Sequence, residues 1–282
     1  MPGEPEQIKN ILFPPRCHLR AREPEDMSMI SVVIPTLNAA PHLAGPLCSL
    51  VEGMCQGLIK EVIVSDGGSD DGTSDIAEGV GARLVVGAAG RGAQLARGAA
   101  VARGAWLLFL HADTQLAPGW ERVAERHMQE SYERVAGVFR LRFDRPGLRP
   151  ALVAMGANLR TALFKRPYGD QGLLIARRHY DDIGGFAPLP LFEDVDFIQR
   201  LVERGGRRAL RGLPITAITA ADRYEAEGYF RRVGRNAALR RAYRRGVPPT
   251  DLAERYYAPS PTRLDPYGKA AAHRARQDTL GP

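Results

Sequence analysis

The residues best suited to chemistry are carboxylates that fall where short apolar runs end. His111-Ala112-Asp113 closes the run 106–110. A carboxylate at that place suits a hard divalent cation completed by phosphate oxygens and water; it equally suits the cap of a helix starting near Pro118. Phe192-Glu193-Asp194-Val195-Asp196 sets three carboxylates in four positions. They repel one another and call for a cation, a partner or a function. At a helix start one of them can face a crevice as a general base, although the helix dipole alone also favours acids there. Asp66-Gly67-Gly68-Ser69-Asp70-Asp71-Gly72-Thr73 follows the run 61–64. Asp66 is an acceptor suited to a base or ribose, the glycines permit close approach of a ligand, and Asp70 and Asp71 read as caps of the next helix. The spacing and terminal glutamate of an EF-hand are missing. Pro35-Thr36-Leu37-Asn38 offers hydrogen-bonding groups after the first run, or an ordinary turn. In Gly87–Gly92 a dinucleotide fingerprint is imitated, but Leu95 stands where the third glycine belongs. Arg91 at that helix start suits a phosphate.

These groups need elements to hold them. Residues 31–34, 61–64, 83–86 and 106–110 read as buried strands. Between them, helices are expected over 41–53, from 73 to 78, and over 91–103. Alternating strands and helices predict a doubly wound sheet with its ligand crevice at the carboxyl ends of the strands. Further on, 135–143 and 172–176 read as strands, and 148–164 and 192–204 as helices. Beyond Ala221 the chain is expected to be helical and Arg-rich.

Length, 282 residues, suits two domains or one large α/β domain with an appendage. With 44% hydrophobic and 25% charged residues, disorder throughout and a coiled coil are excluded. No apolar run approaches the length of a membrane span, and no secretory leader is recognisable. Cys17, Cys48 and Cys55 lack metal-ligand spacing and suit a reducing compartment. The expected location is therefore cytoplasmic. The proline-bearing stretch 1–28 reads as a flexible tail, as does the chain from about 258. Net charge is +7, and between Arg223 and Gly246 eight arginines and two glutamates carry almost all of it. Such a block suggests an anionic partner. Phe230, Val233 and Ala237 form a helical stripe that Arg241 and Arg244 interrupt. The segment is therefore not a clean membrane-surface helix; it is expected to pack on the domain by its first turns or, alternatively, to make peripheral contact with anionic lipid at the inner membrane face.

In their order, these motifs resemble the family 2 glycosyltransferases of the GT-A fold, over roughly 29–257. Pro35-Thr36-Leu37-Asn38 looks like the family's P-x-x-N element, and 64–73 like its V-D-D-G-S-x-D-G-T loop. Residues 91–98 are similar to its G-K-x-x-A-x-N-x-G region, with Arg for Lys. His111-Ala112-Asp113 stands where the D-x-D metal motif falls. Gly169-Asp170-Gln171-Gly172, Gly184-Gly185-Phe186 and Glu193-Asp194 match the acceptor-side series. A small bacterial subgroup shares the H-A-D and G-D-Q-G variants.

The resemblance implies an α/β, GT-A-like single nucleotide-sugar-binding domain with a mostly parallel central sheet, over 29–221, plus an Arg-rich helical extension, 222–282. It implies inverting transfer of a sugar from a nucleoside-diphosphate sugar, expected to be a UDP-sugar, to an unidentified acceptor. Pro35, Thr36, Asn38 and Asp66 would hold the nucleotide, and Arg91 would lie near the diphosphate. Asp113 would bind Mg²⁺ or Mn²⁺, with His111 in place of the motif's first carboxylate. Asp194 would be the base, supported by Glu193, with Asp170 and Gln171 on the acceptor side. Arg223 falls where the Arg of a Q-x-x-R-W motif would stand and is assigned to the site, the later arginines being peripheral. Without a membrane span or that Gln and Trp, a processive synthase is disfavoured. A sugar nucleotidyltransferase would need a Gly-rich basic loop after the first strand, which 37–41 is not. A nucleic-acid-binding protein would need a recognisable reading module beside the arginines, and none is found, so no nucleic-acid partner is expected.

Overall fold

A computed structural model describes residues 30–257 except Tyr132; the expected tails, 1–28 and from about 258, lie outside the described residues. The chain runs β1 (Ile30–Thr36), α1 (Ala40–Ser49), α2 (Val51–Cys55), β2 (Ile59–Asp66), α3 (Thr73–Gly79), β3 (Arg83–Val86), α4 (Arg91–Val101) and β4 (Trp106–Phe109). It continues through β5 (Thr114–Leu116), α5 (Trp120–Ser131), β6 (Ala136–Phe143), α6 (Leu148–Phe164), β7 (Leu173–Ala176), α7 (Arg177–Ile183) and α8 (Glu193–Gly205). It ends with β8 (Leu210–Thr219), α9 (Asp222–Glu227), α10 (Tyr229–Arg244) and α11 (Pro249–Tyr257).

All eight strands form one sheet in the order β3-β2-β1-β4-β7-β6-β8-β5. The half that holds β3, β2, β1 and β4 is parallel. Beyond it, β7 is antiparallel to β4 and β6, β6 runs parallel to β8, and β5 pairs antiparallel with β8. The apolar run of β1 is buried on both faces, as a strand covered by helices on each side requires. Val32 and Ile34 pack with Leu43 and Leu47 of α1 and Trp120 of α5. Val33, of opposite parity, packs with Leu95 and Ala99 of α4 and Phe197 of α8. Period two along the strand thus becomes two cores, one on each face.

Three features differ from expectation. The helix expected over 41–53 is two helices that part at Leu50. Trp120–Ser131 is a full helix whose buried side includes Glu121, His127 and Ser131; these polar residues hide its apolar stripe. The long strand β8 contains Pro214, and its pairing with β6 is irregular between Val138 and Arg140. A proline in a strand sits at such irregularities and masks the alternation in the sequence. Among the described residues no helix is long and apolar enough to cross a membrane.

Candidate active site

β1 and β2 end side by side, with Thr36 in register with Asp66. Asp66 is only 1% exposed. Its Oδ1 accepts hydrogen bonds from Thr36 Oγ1 at 2.8 Å and Ser69 Oγ at 2.5 Å. Its Oδ2 accepts the amides of Gly68 at 2.8 Å and Ser69 at 2.7 Å. Burial opposes ionisation, but these four bonds outweigh it and hold the carboxyl below the ordinary aspartate range. Asn38 takes a left-handed φ of 50°, which asparagine tolerates better than most residues. From there its amide donates to Ser69 Oγ at 2.8 Å, and its side-chain Oδ1 accepts the Asp70 amide at 3.0 Å. Asp71 accepts the Ala40 amide at 3.0 Å and the Thr73 amide at 3.1 Å. Asp71 thus serves the start of α3, whereas Asp70 ties to the neighbouring loop. Gln94 of α4 closes the same knot by donating to the Thr36 and Ser65 carbonyls.

α4 begins against the loop that leads into α8. The amide of Gly92 donates to the Leu189 carbonyl at 3.2 Å. A Cβ at Gly92 would collide with the Ala187 and Leu189 backbone, so only glycine permits this approach. It brings Arg91 onto Glu193, and the two form an ion pair. Glu193 is fully buried, and burial pushes its carboxyl up against the pull of Arg91. Arg91 is desolvated too, yet the charges of Glu193 and Asp194 raise it further above its ordinary range, so it stays charged.

Four further groups converge beside this pair. Burial, then the charge of Arg91, lowers His111 to about 4, so it is neutral at neutral pH. Burial raises Asp170 to about 6, with Asp194 and Asp113 adding to the effect and Arg160 opposing it. Asp170 Oδ1 is buried without a hydrogen-bond partner. Asp194 Oδ2 accepts the Gly169 amide at 2.7 Å, and its Oδ1 accepts the Val195 amide at 2.7 Å. Asp113 accepts the Thr114 hydroxyl at 3.1 Å. Gly169 lies so near the His111 ring that a Cβ would strike it. Just before the acidic cluster, Phe192 holds a left-handed φ of 67°, a costly geometry for a bulky residue. It is held there by burial with Leu239 and Leu252 and by its ring contact with Tyr243 at 5.1 Å.

Pro35, Thr36, Asn38, Arg91, Asp113, Asp170, Asp194 and Arg223 all line one cleft of about 800 Å³. Asp66, Gln171 and Glu193 stand behind it. Gln171 is corrected most: it is 1% exposed, accepts from the Thr161 hydroxyl at 2.7 Å and donates to the Phe139 carbonyl at 2.9 Å. Its side chain is thus engaged in packing the sheet to α6. The division of the arginines is corrected as well. Arg232 and Arg240 line the cleft with Arg223. The stripe expected to pack inward points out, for Phe230 is 60% exposed while Arg232 and Leu239 are buried. Glu227 pairs with Arg232 and, at 3.0 Å, with Arg235, which allows that burial. Sequence reasoning also missed Tyr168, Tyr256 and Tyr257 in the cleft wall. Arg160 and Arg240 lie over the Tyr168 ring at 3.7 and 4.7 Å. Residues 222–257 therefore build one side of the cleft and share a core with Leu191 and Phe192.

Among the described residues no three His, Cys, Asp or Glu side chains form a closed metal cage. Asp113 and the unpartnered oxygen of Asp170 fit a cation that draws its remaining ligands from phosphate and water.

The family model for glycosyl transferase family 2 matches residues 31–189. A PGL/p-HBAD biosynthesis glycosyltransferase of Mycobacterium bovis is 40% identical over 95 residues, covering 31% of this chain and 36% of that protein. The chain thus matches about a third of the length of such curated relatives. Glucosyl-3-phosphoglycerate synthase of Mycobacterium tuberculosis, solved with Mn²⁺, UDP and phosphoglyceric acid, superimposes with a TM-score of 0.53 at 20% identity, over 82% of this chain and 86% of that one. Mannosyl-3-phosphoglycerate synthase of Rubrobacter xylanophilus gives 0.51 at 20% identity, over 79% of each chain. The fold is thus shared with GT-A glycosyltransferase structures. With more than half of its length matched by the family model, the chain belongs to glycosyl transferase family 2.

Proposed function

We propose that the protein transfers a sugar, with inversion, from a UDP-sugar to an acceptor hydroxyl. The observation that carries this is the convergence on one cleft of the laced Pro35–Asn38 loop, Arg91, Asp113 and Asp194. The nucleotide would lie over the 35–38 loop, with Asp66 shaping that loop from beneath and Arg91 near the diphosphate. Support for UDP and a divalent cation comes from the mycobacterial synthase, whose structure was solved with both. Asp113, with Asp170 beside it, would hold Mg²⁺ or Mn²⁺, which would offset charge developing on the leaving diphosphate. Arg91, kept cationic and fixed by Glu193, would oppose the same charge without reorganising. Asp194, oriented by the Gly169 and Val195 amides, would take the proton from the acceptor hydroxyl as the anomeric carbon is attacked. His111, being neutral, adds no positive charge that would compete for the cation. The extension 222–257 would close the acceptor side.

The experiment is a thermal-shift screen of nucleoside diphosphates with and without Mg²⁺ and Mn²⁺, since a ligand of the native state raises Tm by mass action. UDP with a divalent cation is expected to raise Tm. Stabilisation by GDP and not by UDP would overturn the donor assignment.

A further inference from the structure

α6 is apolar on both of its sides. Its inner side, with Ala154 and Ala157, packs on Leu141 and Phe143 of β6. Its outer side carries Leu148, Leu152, Met155, Leu159, Leu163 and Phe164, each between 40% and 74% exposed. The first four recur at intervals of three or four residues, so they share one stripe; at ~1.5 Å per residue the 17-residue helix is roughly 25 Å long. A helix with apolar residues on two opposite sides is normally covered on both, and contiguous exposed apolar patches of this kind mark interaction sites.

The neighbouring helix adds a second exposed face. α6 and α10 meet at Tyr168, whose ring lies between Arg160 and Arg240. Val233, Ala237 and Arg244 stand one or two turns from Arg240 on the exposed side of that seam, with Phe230 beyond them. The outward face of α10 also carries Arg231 and Arg241, and the exposed Arg245 follows at its end. No Asp or Glu occurs between residues 145 and 169 or between 228 and 250. The two segments therefore combine an apolar ridge with arginines and contain no acid of their own. A second copy placed face to face would set arginine against arginine. An anionic lipid surface takes the apolar ridge into its acyl boundary and pairs the arginines with headgroup phosphates.

We propose that the outward faces of α6 and α10 form one docking surface for an anionic lipid bilayer. It goes beyond the transfer reading and does not depend on it. Because Tyr168 and Arg240 line the cleft as well as the seam, docking would bring the cleft close to the bilayer.

The test is sedimentation of the full chain with phosphatidylcholine vesicles, with and without phosphatidylglycerol, over a salt series. Binding is expected only with phosphatidylglycerol, and it weakens as salt screens the arginines. Met155→Ser/Leu159→Ser should lower partitioning about tenfold or more. Arg231→Ala and Arg241→Ala should each lower it about fivefold. All four side chains are exposed, so Tm and its rise with UDP should be unchanged, which separates failure here from failure of the nucleotide reading. Absence of binding to phosphatidylglycerol vesicles overturns the proposal. So does binding that the Met155→Ser/Leu159→Ser variant retains in full. A dimer in analytical ultracentrifugation that the same variant splits, without vesicle binding, overturns it in favour of a contact between copies.

Discussion

Replacing Asp66 tests whether a buried carboxylate, and not the loop sequence alone, shapes the nucleotide side of the cleft. Its four donors are the Gly68 and Ser69 amides and the Thr36 and Ser69 hydroxyls. In Asp66→Asn the amide oxygen can keep the two backbone N–H groups, while the new NH₂ donates to the hydroxyls, which turn to accept. What is lost is charge assistance on the two amide bonds, ~1 kcal/mol each, so about 2 kcal/mol in all. In Asp66→Ala all four donors lose their acceptor. At ~1–3 kcal/mol per unsatisfied group the cost of four is roughly 4–12 kcal/mol, comparable to the whole ~5–15 kcal/mol stability of a typical domain. Urea unfolding at neutral pH should therefore give a folded, weakened Asn variant and an Ala variant that is barely folded. The pH dependence follows the sign of the shift. A carboxyl held below its unfolded value contributes stability that is present above that value, ~3.9, and is lost as pH falls through the folded one. Asp66→Asn should remove that part of the acid-side loss. Equal stability of the Ala and Asn variants would refute the reasoning, because it would mean the four bonds carry no weight.

Asp194→Asn should leave UDP-induced stabilisation in place while lowering sugar transfer roughly 10²–10⁴-fold; near-normal turnover would move the base elsewhere. Asp170, with its carboxyl raised to about 6, should cost the parent stability as pH rises from about 4 through about 6. The Tm advantage of Asp170→Asn over the parent is expected to widen across that interval and to shrink when Mn²⁺ and UDP are added to the parent. A flat difference would remove Asp170 from the charged cluster. Gly92→Ala must push α4 away from the Ala187 and Leu189 backbone, at about 1–3 kcal/mol. It should lower Tm and separate Arg91 from Glu193, so transfer should fall more than stability alone explains; an unchanged Tm would contradict the contact.

The strand-end motifs were legible because each ends a run whose burial is written in its composition. Residues 31–34, 61–64 and 106–110 all became inner strands of the parallel half. Asp113 and Asp194 reach one cleft although 81 positions apart in the chain, an outcome that their strand-end and helix-start places suggested. What was not legible depends on partners distant in sequence. Glu193 reads as one more helix-start acid until Gly92 brings Arg91 against it. Arg232 reads as solvated until Glu227 meets it from the preceding helix, and this inverted the expected faces of α10. Gln171 lies in a motif with an acceptor-side reading, yet its side chain is engaged by Thr161 and Phe139. The left-handed backbone of Phe192 has no signature in a bulky aromatic residue.

The most direct measurement of the central claim is calorimetric titration of the full chain with UDP, with and without Mn²⁺, alongside Asp113→Ala. The expected result is one UDP per chain, bound more tightly when Mn²⁺ is present, with that gain lost in Asp113→Ala. No UDP binding under either condition, or an Mn²⁺-dependent gain that Asp113→Ala keeps in full, would contradict a nucleotide-sugar site centred on Asp113.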